Sequence, residues 1–345
     1  MRVLVTGNLG YIGSVLTPML MERGHEAYGF DTGFFDECLL SSAPENSVVV
    51  QHRADIREIQ EEQLDGMEAI VHLSALSNDP MGELDPGLTH RINTLASERL
   101  AMMAKRAGCS RFVFASSCSI YGQSDDHSLT EESTFNPLTA YARSKVETEA
   151  ILRKFADEDF SPTFMRNATA YGFSPRIRLD IAVNNLAAWG FTTGEVKLLS
   201  DGRSWRPMVH VRDICLAVCE ALDAPRETVH NEALNVGVET ENYQIRAIAE
   251  MVAEALPGTR VTFAEGAAAD ARSYNVSFEK IRRVLPKFET RWTVRSGIEE
   301  IVSAFREQGL RDDQFHGRLY TRLRQLQYLL AERLVDSDLR WKTVV

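Results

Sequence analysis

Short apolar runs bounded by polar or glycine-containing turns recur through the first half of the chain, at Arg2–Thr6, Glu26–Phe30, Val48–His52, Ala69–Leu73, Arg111–Ala115 and Thr163–Arg166. Their length and bounding turns predict buried strands. Between several of them apolar residues recur at helical spacing, most clearly over Tyr11–Glu22, Pro86–Arg106 and Pro137–Phe155. Strands alternating with helices build a parallel sheet covered on both faces, because parallel neighbours need a crossover between them. The expected fold class is therefore α/β, a doubly wound parallel sheet.

The alternation breaks after Gly172, where Phe173–Arg206 is irregular, and resumes with "MVHVRDICLAVCEAL" and "ALNVG", which read as a strand-helix-strand return to the sheet. Thr240–Gln308 mixes helices and short strands. The expected organisation is a sheet domain over 1–172 with returning segments at about 207–237, and a smaller mixed α/β lobe from 173–206 and 238–310. That lobe would roof the carboxyl edge of the sheet, where doubly wound folds bind ligands. A helical extension over 311–345 follows; Phe315–Trp341 reads as one amphipathic helix with Arg318, Arg322 and Arg324 on a solvated or interface face.

Composition narrows the partners. At 345 residues and 44% hydrophobic the chain can bury a sizeable core, and its net charge of −11 argues against nucleic acid or an anionic membrane surface. Any anionic substrate must then be met by local arginines. The sequence opens on "MRVLVTG" with no signal-like pattern, and no apolar run is long enough to span a bilayer. Its five cysteines are odd in number, scattered and without metal-ligand spacing, which suits a reduced, cytoplasmic setting and no metal. Cys215 and Cys219, four apart on a helix, read as core packing.

"VTGNLGYIG" sets Gly7, Gly10 and Gly13 between the first strand and the first helix, with Tyr11 and Ile12 at the turn into it. A tight turn and a close approach of backbone to a pyrophosphate both need glycine, and the helix start offers free N–H groups and a positive dipole end. Asp31 ends the second strand, where its carboxylate can accept from both adenosine ribose hydroxyls and repel a 2′-phosphate. This is the Rossmann dinucleotide arrangement, and it selects NAD over NADP. Asp55 and Ile56, after the third strand, are placed to touch the adenine ring, although Asp55 could equally cap a helix.

In "NPLTAYARSK", Asn136 is a good N-cap and Pro137 a good first helical residue, so Tyr141 and Lys145 lie four apart on one helix face. A phenol with a pKa near 10 is a poor base, but a neighbouring ammonium and the nicotinamide charge both favour the phenolate. Tyrosine can then accept a proton from an alcohol.

With "HLSALS" at 72–77, Asn93, "SSCSIYG", "RNATAYG" and "GRSWRPMVHVRDI", these motifs resemble the extended short-chain dehydrogenase/reductases of the NAD-dependent nucleotide-sugar epimerase/dehydratase family, over roughly residues 1–305. The resemblance implies cofactor contacts at Leu73, Ala75 and Asn93 as well as at the glycine loop. It implies that Ser117 hydrogen-bonds the sugar hydroxyl being oxidised, that Tyr141 takes its proton, and that Lys145 holds the nicotinamide ribose. It also implies a homodimer built on the helices of Pro86–Arg106 and Pro137–Phe155. Ser116 reads as a structural strand-end residue.

Dehydratases of the family place Asp-Glu after the catalytic Ser/Thr, whereas this chain has Cys118 and Ser119. A thiol and a hydroxyl do not replace an acid and a carboxylate base of tuned pKa. The expectation is a C4 epimerase acting through a transient 4-keto sugar. A 4-keto-sugar reductase or a dehydratase of the same family is the alternative, and a non-catalytic NAD-binding sensor a remote one. Cys118 is either a core residue behind the strand or an acid/base next to a ketone.

For the nucleotide-sugar diphosphate, Arg206 and Arg272 match the arginines expected by resemblance, because guanidinium fits phosphate bidentately. Thr169 stands where many relatives have asparagine near substrate. Asn185, with Asn184, could reach the phosphates or be ordinary helix-surface residues. Trp189, Trp205 and Tyr243 could stack on a base or sugar, with core packing as their default.

Overall fold

In a computed structural model that describes residues 1–41, 48–124, 128–268 and 272–342, twelve strands form three sheets. In chain order they are β1 (Arg2–Thr6), β2 (Glu26–Asp31), β3 (Gln51–Arg53), β4 (Ala69–His72), β5 (Arg111–Ser117), β6 (Ser161–Asn167), β7 (Thr169–Tyr171), β8 (Glu195–Ser200), β9 (Trp205–His210), β10 (Ala233–Val236), β11 (Asn242–Gln244) and β12 (Arg260–Ala268). The largest sheet runs β10-β6-β5-β4-β1-β2-β3 and is parallel throughout. The order reverses between β1 and β4, which opens a crevice at their carboxyl ends.

Both faces of this sheet are buried, and the strands read accordingly as nearly unbroken apolar runs. On one face Val3, Val5 and Val71 pack with the helices Gly13–Glu22 and Val211–Asp223; on the other Leu4, Ile70 and Phe112 pack with Leu100 and Leu152. Cys215 and Cys219 lie fully buried in the first of these clusters.

Three expectations change. The Pro86–Arg106 helix is divided into Pro86–Thr89, a wide π-type stretch His90–Leu95 and Ala96–Arg106. Strand β9 does not join the large sheet but sits between β7 and β11 in a separate three-stranded one; the helix Val211–Asp223 follows it, and β10 makes the return. The tail is not one helix: Arg322–Ala331 is helical, Val335 and Trp341 then pair across a turn, and Arg322 is buried rather than solvated.

Beyond the sheet edge, Val183, Leu186, Ile248, Val252, Ile298 and Phe305 form a third core with the pair β8–β12 beside it. Trp189 packs edge-on against Phe315 next to this core, and the Tyr243 hydroxyl bonds Glu241, so both take packing roles. Trp205 is partly exposed. No helix among the described residues is long and apolar enough to cross a membrane.

Candidate active site

The crevice deepens into a cleft of about 1010 Å³ between the carboxyl ends of β1, β2, β4 and β5 and the third core. That volume is at the upper end for small-molecule sites.

At its floor, Gly7 adopts φ +77°, and a Cβ there would stand 2.8 Å from the Ser74 amide nitrogen. A Cβ on Gly13 would stand 2.4 Å from the Gly7 carbonyl oxygen. The loop can therefore close only with glycine at both positions, which brings its backbone against the loop after β4. Asp31 accepts from the Leu9 N–H at 3.1 Å and the Gly33 N–H at 2.9 Å. Burial raises its pKa and the two amides oppose that rise. A carboxylate has further lone pairs, so these bonds leave it capacity to accept from ribose hydroxyls. Gly10, Tyr11 and Ile12 also line the cleft, and the Tyr11 hydroxyl donates to the Gly172 carbonyl at 2.8 Å.

Asp55 and Ile56 line the same wall. Asp55 caps the short turn after β3, accepting from the Arg57 N–H at 2.8 Å, and is also ion-paired with the Arg57 side chain, so its cap role and its place on the wall coexist. Leu73 and Ala75, on the loop after β4, line the cleft as well. Asn93, inside the π-type stretch, clamps that loop through both Leu76 backbone groups and reaches Ser144 at 3.0 Å. It does not line the cleft itself but supports that loop from behind.

Ser117, Tyr141 and Lys145 converge on the cleft. Ser117 ends β5 and caps the next turn by accepting from the Ser119 N–H at 3.1 Å, and its hydroxyl is near enough to the Tyr141 phenol to lower the phenol's pKa. The helix that carries Tyr141 and Lys145 spans Ala140–Arg153 and is capped by Thr139, not Asn136, since the Thr139 hydroxyl reaches the Ala142 N–H at 3.1 Å. The four-residue spacing still holds.

Burial pushes the Tyr141 phenol up to about 12; the Ser117 hydroxyl and the Arg178 guanidinium pull against this, while Asp79 adds to it. Burial lowers Lys145 to about 7, against the pull of Glu149. The expected ammonium effect on the phenol is thus not what dominates in the protein alone: desolvation of both groups outweighs it.

Behind Ser117, Tyr141 and Lys145 lies a satisfied polar network. Glu149 accepts from Ser116 at 2.5 Å and pairs with Arg166 at 2.7 Å; Arg166 reaches the Tyr121 hydroxyl, which donates to Asn235 at 2.7 Å. Cys118 belongs to this side, 1% exposed, with its thiol directed at the Arg166 carbonyl at 3.2 Å and its pKa driven up by burial. Of its two roles, core packing is the one this geometry suits, because the sulfur faces away from the cleft. Ser119, in contrast, lines the cleft with a buried hydroxyl that has no partner among the described residues, as does the Asn167 carboxamide oxygen.

The substrate candidates separate. Thr169, Asn185, Arg206 and Arg272 all line the cleft. Arg206 donates to the carbonyl oxygens of Trp205 and Arg272, and Arg272 is ion-paired with Asp79 at 2.6 Å. Asn185 donates to the Leu179 carbonyl at 2.7 Å. Asn184 is neither a phosphate ligand nor a surface residue: fully buried, it bonds both backbone groups of Gly172 and the Arg178 carbonyl.

Arg178 itself escapes the motif reading. It lines the cleft, pairs with Asp180 at 2.9 Å, donates to Ser77 at 3.1 Å and acts on the Tyr141 phenol. The two-residue spacing of Arg178 and Asp180 was its one sequence signal. Among the described residues no group of three metal-ligating side chains gathers.

A model of the NAD dependent epimerase/dehydratase family matches residues 3–237. The chain is 26% identical over 270 residues to UDP-glucose 4-epimerase of Corynebacterium glutamicum, across 74% of this chain and 80% of that protein. It is 25% identical over 329 residues to UDP-glucuronic acid decarboxylase 1 of Arabidopsis thaliana, across 92% of this chain and 72% of that protein. Among solved structures, MoeE5 in complex with UDP-glucuronic acid and NAD aligns at a TM-score of 0.77 with 27% identity, covering 89% of this chain and 99% of that one.

Proposed function

The chain belongs to the NAD dependent epimerase/dehydratase family, whose members act on nucleotide sugars, and on that premise we propose that it is an NDP-sugar C4 epimerase. NAD is its cofactor, and the glycine loop with Asp31, Asp55, Leu73 and Ala75 would hold it. When bound, NAD supplies a reversible hydride acceptor at the sugar carbon.

The chain's own residues supply the rest. Ser117 orients the C4 hydroxyl, and Tyr141 takes its proton and later gives it back. Burial keeps that phenol protonated in the protein alone. With NAD bound, its positive ring would favour the phenolate, and Tyr141 would then serve as the base. Lys145 donates from the same helix face, held by the Ala115 carbonyl. Arg206 and Arg272 are the cationic forks for the sugar-nucleotide diphosphate, with Thr169 and Asn185 beside them.

The observation that carries epimerisation over elimination is the pair after Ser117. Cys118 faces the core and Ser119 brings only a hydroxyl to the cleft, so neither position after Ser117 supplies the acid or the carboxylate that elimination there would use. Neighbours whose names include epimerases, decarboxylases and dehydratases leave the reaction class to this local chemistry.

The test is a panel of nucleotide sugars followed by NMR with purified protein. The expected result is a C4-inverted product without added cofactor. A 4-keto-6-deoxy product, or turnover strictly dependent on added NADH or NADPH, would overturn the reading. We also propose a homodimer through the helices Ala96–Arg106 and Ala140–Arg153, which pack side by side and leave Leu95 exposed next to the seam; sedimentation at micromolar concentration checks it.

A further inference from the structure

Arg322 opens the last helix, yet it is only 2% exposed and lines the cleft. Its Nη2 donates to the Arg176 carbonyl at 2.8 Å, and its guanidinium lies over the Phe35 ring at 4.6 Å. Its Nη1 is buried with no hydrogen-bond partner among the described residues. A buried cation with an unused donor is costly unless an anion meets it.

The neighbours do not provide that anion. Asp180 is engaged by Arg178 through two bonds and accepts only the backbone N–H of Arg322. Arg176 is committed to the Phe35 carbonyl and to Asp36. The Arg322 side chain is thus left without a hydrogen-bonded carboxylate of its own. Burial first, and then Arg178 and Arg176, lower the Arg322 pKa to about 10, against Cys38 and Asp180.

The tail places this charge on the dinucleotide side. Gln325 donates to the Phe34 carbonyl at 3.1 Å, Trp341 donates to the Thr32 carbonyl at 2.7 Å, and the Phe34 and Trp341 rings lie 5.5 Å apart. These are the residues directly after Asp31, so the C-terminal segment is fastened to the loop that borders the adenosine ribose. The family match ends at residue 237, well before this segment.

We propose that Arg322 is a cofactor-binding residue supplied by the C-terminal segment, its guanidinium donating to a diphosphate oxygen of NAD. The assignment holds whichever sugar reaction the enzyme runs, since it concerns the cofactor alone. A sugar nucleotide also carries a diphosphate, so the experiment separates the two sources.

The full chain, stripped of nucleotide, is titrated calorimetrically with NAD, ADP-ribose, adenosine and UDP. Losing one charge-assisted hydrogen bond should weaken NAD and ADP-ribose about 10- to 100-fold in Arg322→Gln, with Arg322→Lys between it and the parent. Adenosine, which lacks the diphosphate, and UDP should bind the variants as they bind the parent. On the unmodified chain, ADP-ribose should slow amide exchange over Arg322–Ala331 while adenosine and UDP do not, a readout that stands even where a variant does not fold. Unchanged NAD affinity in Arg322→Gln, a loss confined to UDP, an equal loss for adenosine, or no slowing in the unmodified chain would each overturn the proposal.

Discussion

Lys145 stands one helical turn from Tyr141 with its Nζ 5.7 Å from the phenol ring centre, and the same nitrogen donates to the Ala115 carbonyl at 2.7 Å. The helix that carries the base is thereby tied to the strand that carries Ser117. The relationship costs stability, because burial lowers Lys145 from its ordinary value of 10.5 to about 7. The unfolded chain binds this proton between pH 7 and 10.5 while the folded chain does not, so the buried-charge penalty is complete below pH 7 and fades as pH rises. Cofactor-free Lys145→Met should therefore melt relatively higher against wild type at pH 6 than at pH 9. Thermal melts across that range check it, and a pH-independent difference would count against the lowered pKa.

Tyr141→Phe removes the proton acceptor and keeps the ring. Turnover should fall on the order of 10²- to 10⁴-fold, the range for positioned acid–base groups, while NAD binding is retained. Ser117→Ala should lower turnover similarly in kind. Single-turnover reduction of bound NAD, followed by absorbance, distinguishes a lost proton transfer from lost cofactor.

Cys118→Ala should cost about 1 kcal/mol of stability through a small cavity and leave turnover within about twofold. The thiol should also resist alkylation in the folded protein, since it is buried with a raised pKa. A large fall in turnover at unchanged stability would give the sulfur the acid/base role that its orientation argues against.

Gly13→Ala puts a methyl within 2.5 Å of the Asn8 Cα and closer still to the Gly7 carbonyl oxygen, backbone atoms that cannot move aside without opening the loop. The expected outcome is protein purified without NAD and with a lowered melting temperature. Retained dinucleotide, measured after denaturation, would show that the loop does not need its present closure.

Much of this site was legible because its chemistry is local. The glycine loop, Asp31 and the Tyr141–Lys145 pair lie within single strand-turn-helix units, where spacing alone sets direction. The N-cap of the catalytic helix was misplaced by three residues because Asn136 and Thr139 have similar capping chemistry, and the choice fell to the hydroxyl that meets the Ala142 amide. β9 was assigned to the large sheet because an apolar strand says nothing about which edge it will pair with.

Arg178, Asn184 and Arg322 were illegible for a different reason. Each is a polar residue whose meaning comes from partners that helical or strand spacing does not indicate, as when Arg322 meets Arg176 and Phe35. The sequence by itself determined the doubly wound sheet, the closed glycine loop and the shared helix face of Tyr141 and Lys145, because period, glycine placement and helical spacing act over a few residues. Only the tertiary structure decided that Cys118 turns to the core, that Ser119 faces the cleft, and that a C-terminal arginine is buried against the cleft. Those outcomes depend on which surfaces exclude water together, and that is a property of the packed chain.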